Sequence, residues 1–170
     1  MTMSSYIRSL RAHVGTARLL APSVAGIVRD SESRILLVQQ RDDGRWSTPG
    51  GAIEMDETPA DAVVREVWEE TGLLVTPTRL LAIYGGPGFV VRYPNGDETQ
   101  YVSAMFECDV KSGTLRADGD AEGEEVQAAR YWSLDEATKL PLSPWLVDVL
   151  PRLYEPKAAA WFDASSWRPA

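Results

Sequence analysis

Three glutamates, Glu66, Glu69 and Glu70, fall within one short stretch, REVWEE, with Arg65 directly before them. On a helix, positions three and four apart share a face, so this spacing places three carboxylates side by side. Like charges at that spacing repel by a few tenths of a kcal/mol per pair, and Arg65 is the one basic residue near enough to relieve them. A hard divalent cation reverses that repulsion, because Mg²⁺ takes oxygen ligands and commonly binds through a few carboxylates plus water and substrate phosphate. Glu54, Asp56 and Glu57 add carboxylates just upstream, and Arg65 can pair with one of them. Gly50 and Gly51 open the same segment and let a backbone come close to a ligand. By themselves, three glutamates on a helix read first as a solvated acidic face.

The helix that carries them is well marked. Thr58 is an N-cap, Pro59 suits the first helical position, Asp61 stands where a capping box wants an acid, and Gly72 ends the run after Thr71. Val63, Val64, Val67 and Trp68 supply its apolar surface. Upstream, 24–28 and 35–40 are β-branched runs around a turn-prone 29–33, which reads as a hairpin. Residues 44–51 form a loop. Downstream, 80–84 and 89–93 are strand-like, Pro94-Asn95-Gly96-Asp97 is a hairpin turn, and 101–108 alternates as a strand. Residues 113–123 read as loop, 127–132 as strand, and 144–154 as a helix capped by Ser143. Interleaved strands and helices give an α/β class with a mixed sheet.

Composition narrows the function. The 170 residues suit one domain, with a hydrophobic fraction of 44% and a charged fraction of 25%. Arg8, Arg11 and Arg18 interrupt the first 20 residues, which lack a signal-peptide core, and no apolar run is long enough to span a bilayer. With 17 basic and 25 acidic residues the net charge is −8, which disfavours a nucleic-acid polymer as partner but admits a small phosphorylated substrate if cations are recruited locally. Cys108 is the only cysteine and His13 the only histidine, so there is no intrachain disulfide, no Cys-rich zinc site and no motif for a Ser-His-Asp or Cys-His mechanism. A cytoplasmic enzyme is the simplest expectation.

Residues 51–73, GAIEMDETPADAVVREVWEETGL, resemble the Nudix box, G-x5-E-x7-R-E-U-x-E-E-x-G-U with U aliphatic. Gly51, Glu57, Arg65, Glu66, Val67, Glu69, Glu70, Gly72 and Leu73 match every defined position. Weaker resemblance runs outward through Leu36-Leu37-Val38-Gln39-Gln40-Arg41 and Trp46-x-x-Pro49-Gly50-Gly51 to Arg130-Tyr131-Trp132-Ser133-Leu134. The resemblance divides the chain into an N-terminal segment (1–22), a Nudix domain (23–154) and an aromatic tail (155–170).

What the resemblance implies is an α/β/α sandwich and Mg²⁺- or Mn²⁺-dependent hydrolysis of a phosphoanhydride in a nucleoside diphosphate linked to another group, ADP-ribose-like or a nucleoside triphosphate. Glu66, Glu69 and Glu70 become metal ligands, with one of them a general base, and the Gly51 carbonyl another ligand. Glu57 becomes a ligand or the carboxylate that Arg65 orients. Glu125 takes the place of a second acidic ligand or base, with Glu122 and Glu124 as rivals. Asp56 departs from the glycine that many relatives have before the first box glutamate, and Thr48 from an apolar residue, which touches loop geometry.

Arg41 is a phosphate contact or an exposed arginine, and Trp46 packs under the loop or stacks on a base. Tyr84, Phe89 and Tyr93 lie where family members often build a nucleobase pocket, although strand aromatics are as often core. Gly85, Gly86 and Gly88 do not make a P-loop, for no Gly-Lys-Ser/Thr follows. Pro87 lies near the proline that ADP-ribose enzymes tend to carry after the box. A non-catalytic nucleotide-sensing module is the alternative function, though no box carboxylate is missing. Trp161, Phe162 and Trp167 call for cover, from a homodimer or from their own domain.

Overall fold

The computed structural model describes residues 5–116, 126–155 and 159–165. In chain order the elements are α1 (Ser5–Val14), β1 (Leu19–Val28), β2 (Ile35–Gln40), β3 (Trp46–Ser47), α2 (Pro59–Thr71), β4 (Leu73–Tyr84), β5 (Val90–Arg92), β6 (Glu98–Gly113), β7 (Val126–Trp132), α3 (Leu134–Ala137) and α4 (Pro144–Tyr154).

A mixed sheet runs β1-β6-β4, with β5 also on β6, and a second sheet runs β3-β2-β7. The hairpin expected from 24–28 and 35–40 is not formed. β1 pairs in parallel with β6, β2 pairs antiparallel with β3 and β7, and a lone bridge, Arg29↔Ile35, links the two strands. Residues 23–28 and 35–38 are buried without a break, so both strands are covered on both faces. β2 lies between β3 and β7, whereas β1 ends its sheet and gives its remaining edge to the 49–53 loop. The 94–97 turn does close a hairpin between β5 and β6, with Gly96 at φ 87°.

Two apolar layers flank the sheets. On one side Ala25, Ile27, Ile35 and Leu37 meet Leu146, Val149, Leu150 and Leu153 of α4. On the other, Val24, Val28, Leu36 and Val38 meet Ala62, Val63 and Val67 of α2. The α/β/α sandwich follows directly from the alternation along β1 and β2. Gly26 sets the distance between β1 and α2, since a Cβ there would stand 2.6 Å from Val67 Cγ2. Trp68, expected to bury, is 45% exposed.

Several elements are longer than expected. β1 begins at Leu19, β4 at Leu73, and β6 continues to Gly113, into the expected loop. Pro77 sits at a register shift between β4 and β6, where its missing N–H is tolerated. The N-terminal segment folds as α1 and docks through Arg11, which donates to Glu98 O at 2.7 Å and pairs with Asp97 at 3.5 Å. At the other end Trp161 lies along the outer edge of β4, donating to Leu81 O at 2.9 Å and accepting from Ile83 N at 3.1 Å. The Arg152 guanidinium stacks 3.4 Å from its ring centroid. Trp161 is therefore covered by its own domain, whereas Phe162 is 75% exposed and Trp167 lies outside the described residues.

Candidate active site

The glycine loop is sewn to the edge of β1 that β6 leaves open. Gly26 N donates to Pro49 O at 2.8 Å, Val24 N to Gly51 O at 2.9 Å, and Ile53 N to Pro22 O at 3.3 Å. Gly50 has φ 152°, and a Cβ on it would lie 2.2 Å from Val24 O, so only glycine fits. At Gly51 a Cβ would stand 2.5 Å from Glu66 Oε1. The loop backbone and the Glu66 carboxylate are thus in contact because residue 51 has no side chain.

α2 presents the carboxylates as its sequence signals require. Thr58 Oγ1 accepts from Asp61 N at 3.1 Å at the start, and Gly72 ends the helix at φ 76°. Arg65 then ties helix to loop. Its Nε and Nη2 donate to Glu57 Oε1 and Oε2 at 2.8 and 2.9 Å, and Nη2 also reaches Ala52 O at 3.1 Å. Its Nη1 meets Glu66 Oε1 at 2.8 Å and Glu69 Oε2 at 3.3 Å. All three nitrogens of the guanidinium fork are engaged. The Arg65 hydrogen bonds hold the Glu57 carboxyl below the usual glutamate range, and Glu57 in turn pushes the Arg65 pKa upward.

Glu70 turns the other way. It is buried, and its Oε2 accepts the Gly50 N–H at 2.9 Å. Glu69 is the open carboxylate, with its side chain 56% exposed. Box carboxylates therefore meet on Arg65 and on the glycine loop, and among the described residues no three acidic side chains stand grouped as a ready metal cage. Asp56 takes φ 64°, the left-handed conformation that glycine adopts freely, so the departure noted in the sequence preserves the turn.

Other expected site residues lie elsewhere. Tyr84 and Phe89 belong to the apolar core. They are buried in an aromatic cluster, Phe89 stacking on Trp145 at 4.6 Å and lying 5.7 Å from both Tyr84 and Tyr101. They point inward because α4 covers that face of the sheet. Tyr93 OH bonds Tyr101 OH at 2.8 Å. Trp46 is buried, packed edge-on to Trp132 at 5.2 Å. Arg41 is exposed at the end of β2 and donates to Val126 O at 3.3 Å. Glu125 and its rivals Glu122 and Glu124 lie outside the described residues. Cys108 is buried, its thiol pushed up to about 12 by desolvation, which suits an inert packing residue. His13 is exposed on α1 and bonds Ser9 O at 2.8 Å.

One contact at this site had not been expected. Arg116, just past β6, donates from Nη1 to Glu69 O at 2.6 Å. The signal for it is negative: the last turn of α2 contains no basic residue of its own.

Comparison with known proteins agrees with this architecture. A family model described as NUDIX domain matches residues 19–153. A MutT-like protein of Streptomyces ambofaciens is 35% identical over 77% of this chain and 75% of its own length. An ADP-ribose pyrophosphatase of Methanocaldococcus jannaschii is 36% identical over 71% of this chain and 68% of its own length. The crystal structure of an ADP-ribose pyrophosphatase from Streptococcus suis superposes with a TM-score of 0.64 at 26% identity, covering 84% of this chain and 98% of that one. With an intact box on the helix and loop that the fold requires, the chain belongs to the NUDIX domain family and is a Nudix hydrolase, an enzyme that cleaves pyrophosphate bonds.

Proposed function

We propose that the enzyme hydrolyses a phosphoanhydride bond in a nucleoside diphosphate linked to another group, using Mg²⁺ or Mn²⁺. The observation that carries this reading is Arg65, whose guanidinium touches Glu57, Glu66 and Glu69 as well as the Ala52 carbonyl, with Glu66 lying against Gly51. The donor set suits a hard cation. Glu66 and Glu69 already share one cationic atom, Arg65 Nη1, and every candidate ligand offers oxygen. Glu66, Glu69 and Glu70 would hold the metal, together with the Gly51 carbonyl, which keeps a lone pair beyond its bond from Val24 N.

A bound divalent cation lowers the pKa of coordinated water and offsets charge on the phosphates. The chain supplies the rest. Glu69, the carboxylate open to solvent, accepts the proton of the attacking water. Glu57, held by Arg65, keeps the loop against the helix so that the glycine backbone meets the phosphates. Arg41 would serve as an outer phosphate contact, and Glu125 as a second acid or base. The setting is cytoplasmic, with small nucleotides as partners. The exposed Phe162 supports a homodimer, for which light scattering at micromolar concentration should return twice the 18.7 kDa chain mass.

Relatives that carry the name ADP-ribose pyrophosphatase make ADP-ribose the first substrate to test, and the MutT-like relative makes nucleoside triphosphates the second. A panel of both, with Mg²⁺ or Mn²⁺ and product identification, should yield AMP with ribose phosphate, or a nucleoside monophosphate with pyrophosphate. Chelation should abolish turnover and added metal restore it. No cleavage of any panel member with either metal would reject the reading.

A further inference from the structure

Helix α2 ends awkwardly for its task. A helix C-terminus carries partial negative charge and leaves its last carbonyls without intrahelical partners. Here the last turn also bears Glu69 and Glu70 and no basic residue, so no charge within that turn offsets the negative end of the helix.

The support comes from outside the box. The chain leaving β6 wraps the helix end. Arg116 N donates to Thr71 O at 3.0 Å, and Arg116 Nη1 donates to Glu69 O at 2.6 Å. One residue thereby satisfies two of the terminal carbonyls, while Gly72 N satisfies Trp68 O at 2.9 Å. The approach is close enough to need glycine on both sides. A Cβ on Gly72 would lie 2.8 Å from Thr114 O and 3.0 Å from Arg116 Cγ, and a Cβ on Gly113 would lie 2.3 Å from Gly72 O. The guanidinium also sets a positive charge at the negative end of the helix.

We propose that Arg116 is a positioning residue for hydrolysis, acting through the α2 backbone to hold the Glu69–Glu70 turn in place. This rests on the reading that the α2 carboxylates carry the chemistry, and it adds a residue that lies outside the box. Displacing a catalytic group by about 1 Å can cost up to about 100-fold in rate, so a frayed turn should register in turnover before it registers in substrate binding.

Full-length Arg116→Ala and Arg116→Lys test it by two readouts. In Arg116→Ala, amide hydrogen exchange at residues 70–73 should quicken about ten-fold, with residues 62–67 changed less than about two-fold. On the substrate found for the wild type, kcat should fall about ten-fold with KM within about two-fold. Arg116→Lys, whose ammonium can still donate to the terminal carbonyls, should recover most of both losses. Unchanged exchange in the last turn, unchanged kcat, or an equal rise in exchange along the whole chain would overturn the proposal. Wild-type turnover on the same panel judges the hydrolase reading separately, and the exchange readout judges Arg116 whatever that result.

Discussion

Arg65 grips Glu57 with two parallel hydrogen bonds, Nε to Oε1 at 2.8 Å and Nη2 to Oε2 at 2.9 Å, joining the helix to the loop ahead of it. The pairing is fork to fork, a geometry that a lysine cannot reproduce. Because the guanidinium is partly exposed, the pair is expected to contribute about 1–2 kcal/mol rather than the larger loss seen when buried pairs are broken.

The pH dependence of that contribution has a definite sign. Arg65 depresses the Glu57 pKa in the folded state, so the stabilisation is full above the ordinary glutamate value of about 4.3 and is lost as pH falls through the lower folded value. Urea titrations should show wild type more stable than Glu57→Gln at pH 7, with the gap closing below about pH 4. A gap of the same size in acid would assign the stabilisation to something other than the carboxylate charge.

Glu69→Gln and Glu70→Gln separate chemistry from folding. Each should lower turnover by about 10²–10⁴-fold, whether the lost group is a base or a ligand. Thermal stability should hold, since Glu69 is largely exposed and an amide oxygen at position 70 can still accept from Gly50 N. Near-normal turnover in either variant would remove that residue from the mechanism.

The two loop glycines should fail in different ways. Gly50→Ala puts a Cβ against the Val24 carbonyl at a backbone angle that side chains avoid, and should cost about 2–3 kcal/mol. Gly51→Ala meets only the end of the Glu66 side chain, which can move. It should lose about 1 kcal/mol or less while turnover drops at least about ten-fold. Equal stability losses, measured by denaturant unfolding, would contradict this contrast.

Asp56 holds φ 64° without being glycine. Asp56→Gly should therefore leave stability unchanged or raise it by up to about 1 kcal/mol, while a β-branched Asp56→Val should cost more than about 1 kcal/mol. Destabilisation by glycine would show that the aspartate side chain itself supports the loop.

Whatever is local was readable from the sequence. The helix from Thr58 to Gly72 is fixed by its cap, its proline and its terminal glycine, and the 94–97 turn by Asn95-Gly96, because those signals act within a few residues. Helical period sets Glu66, Glu69 and Glu70 within one turn, but not where their carboxylates go: Glu66 and Glu69 turn to Arg65 and Glu70 to Gly50. The box spacing brought the family into view. Pairing in the sheets was decided only in three dimensions. β1 and β2 follow each other across a short turn, yet buried surfaces on both faces of each strand place them in different sheets. Period-two alternation separates the two faces of a strand but does not say what covers either one, so Tyr84 and Phe89 fit a pocket and a core equally until α4 is set over them. The same holds for the contacts that complete the site. Glu70 meets Gly50 and Arg116 meets Glu69 because loop and strand ends return to the helix, and no periodicity within one segment records what arrives from another.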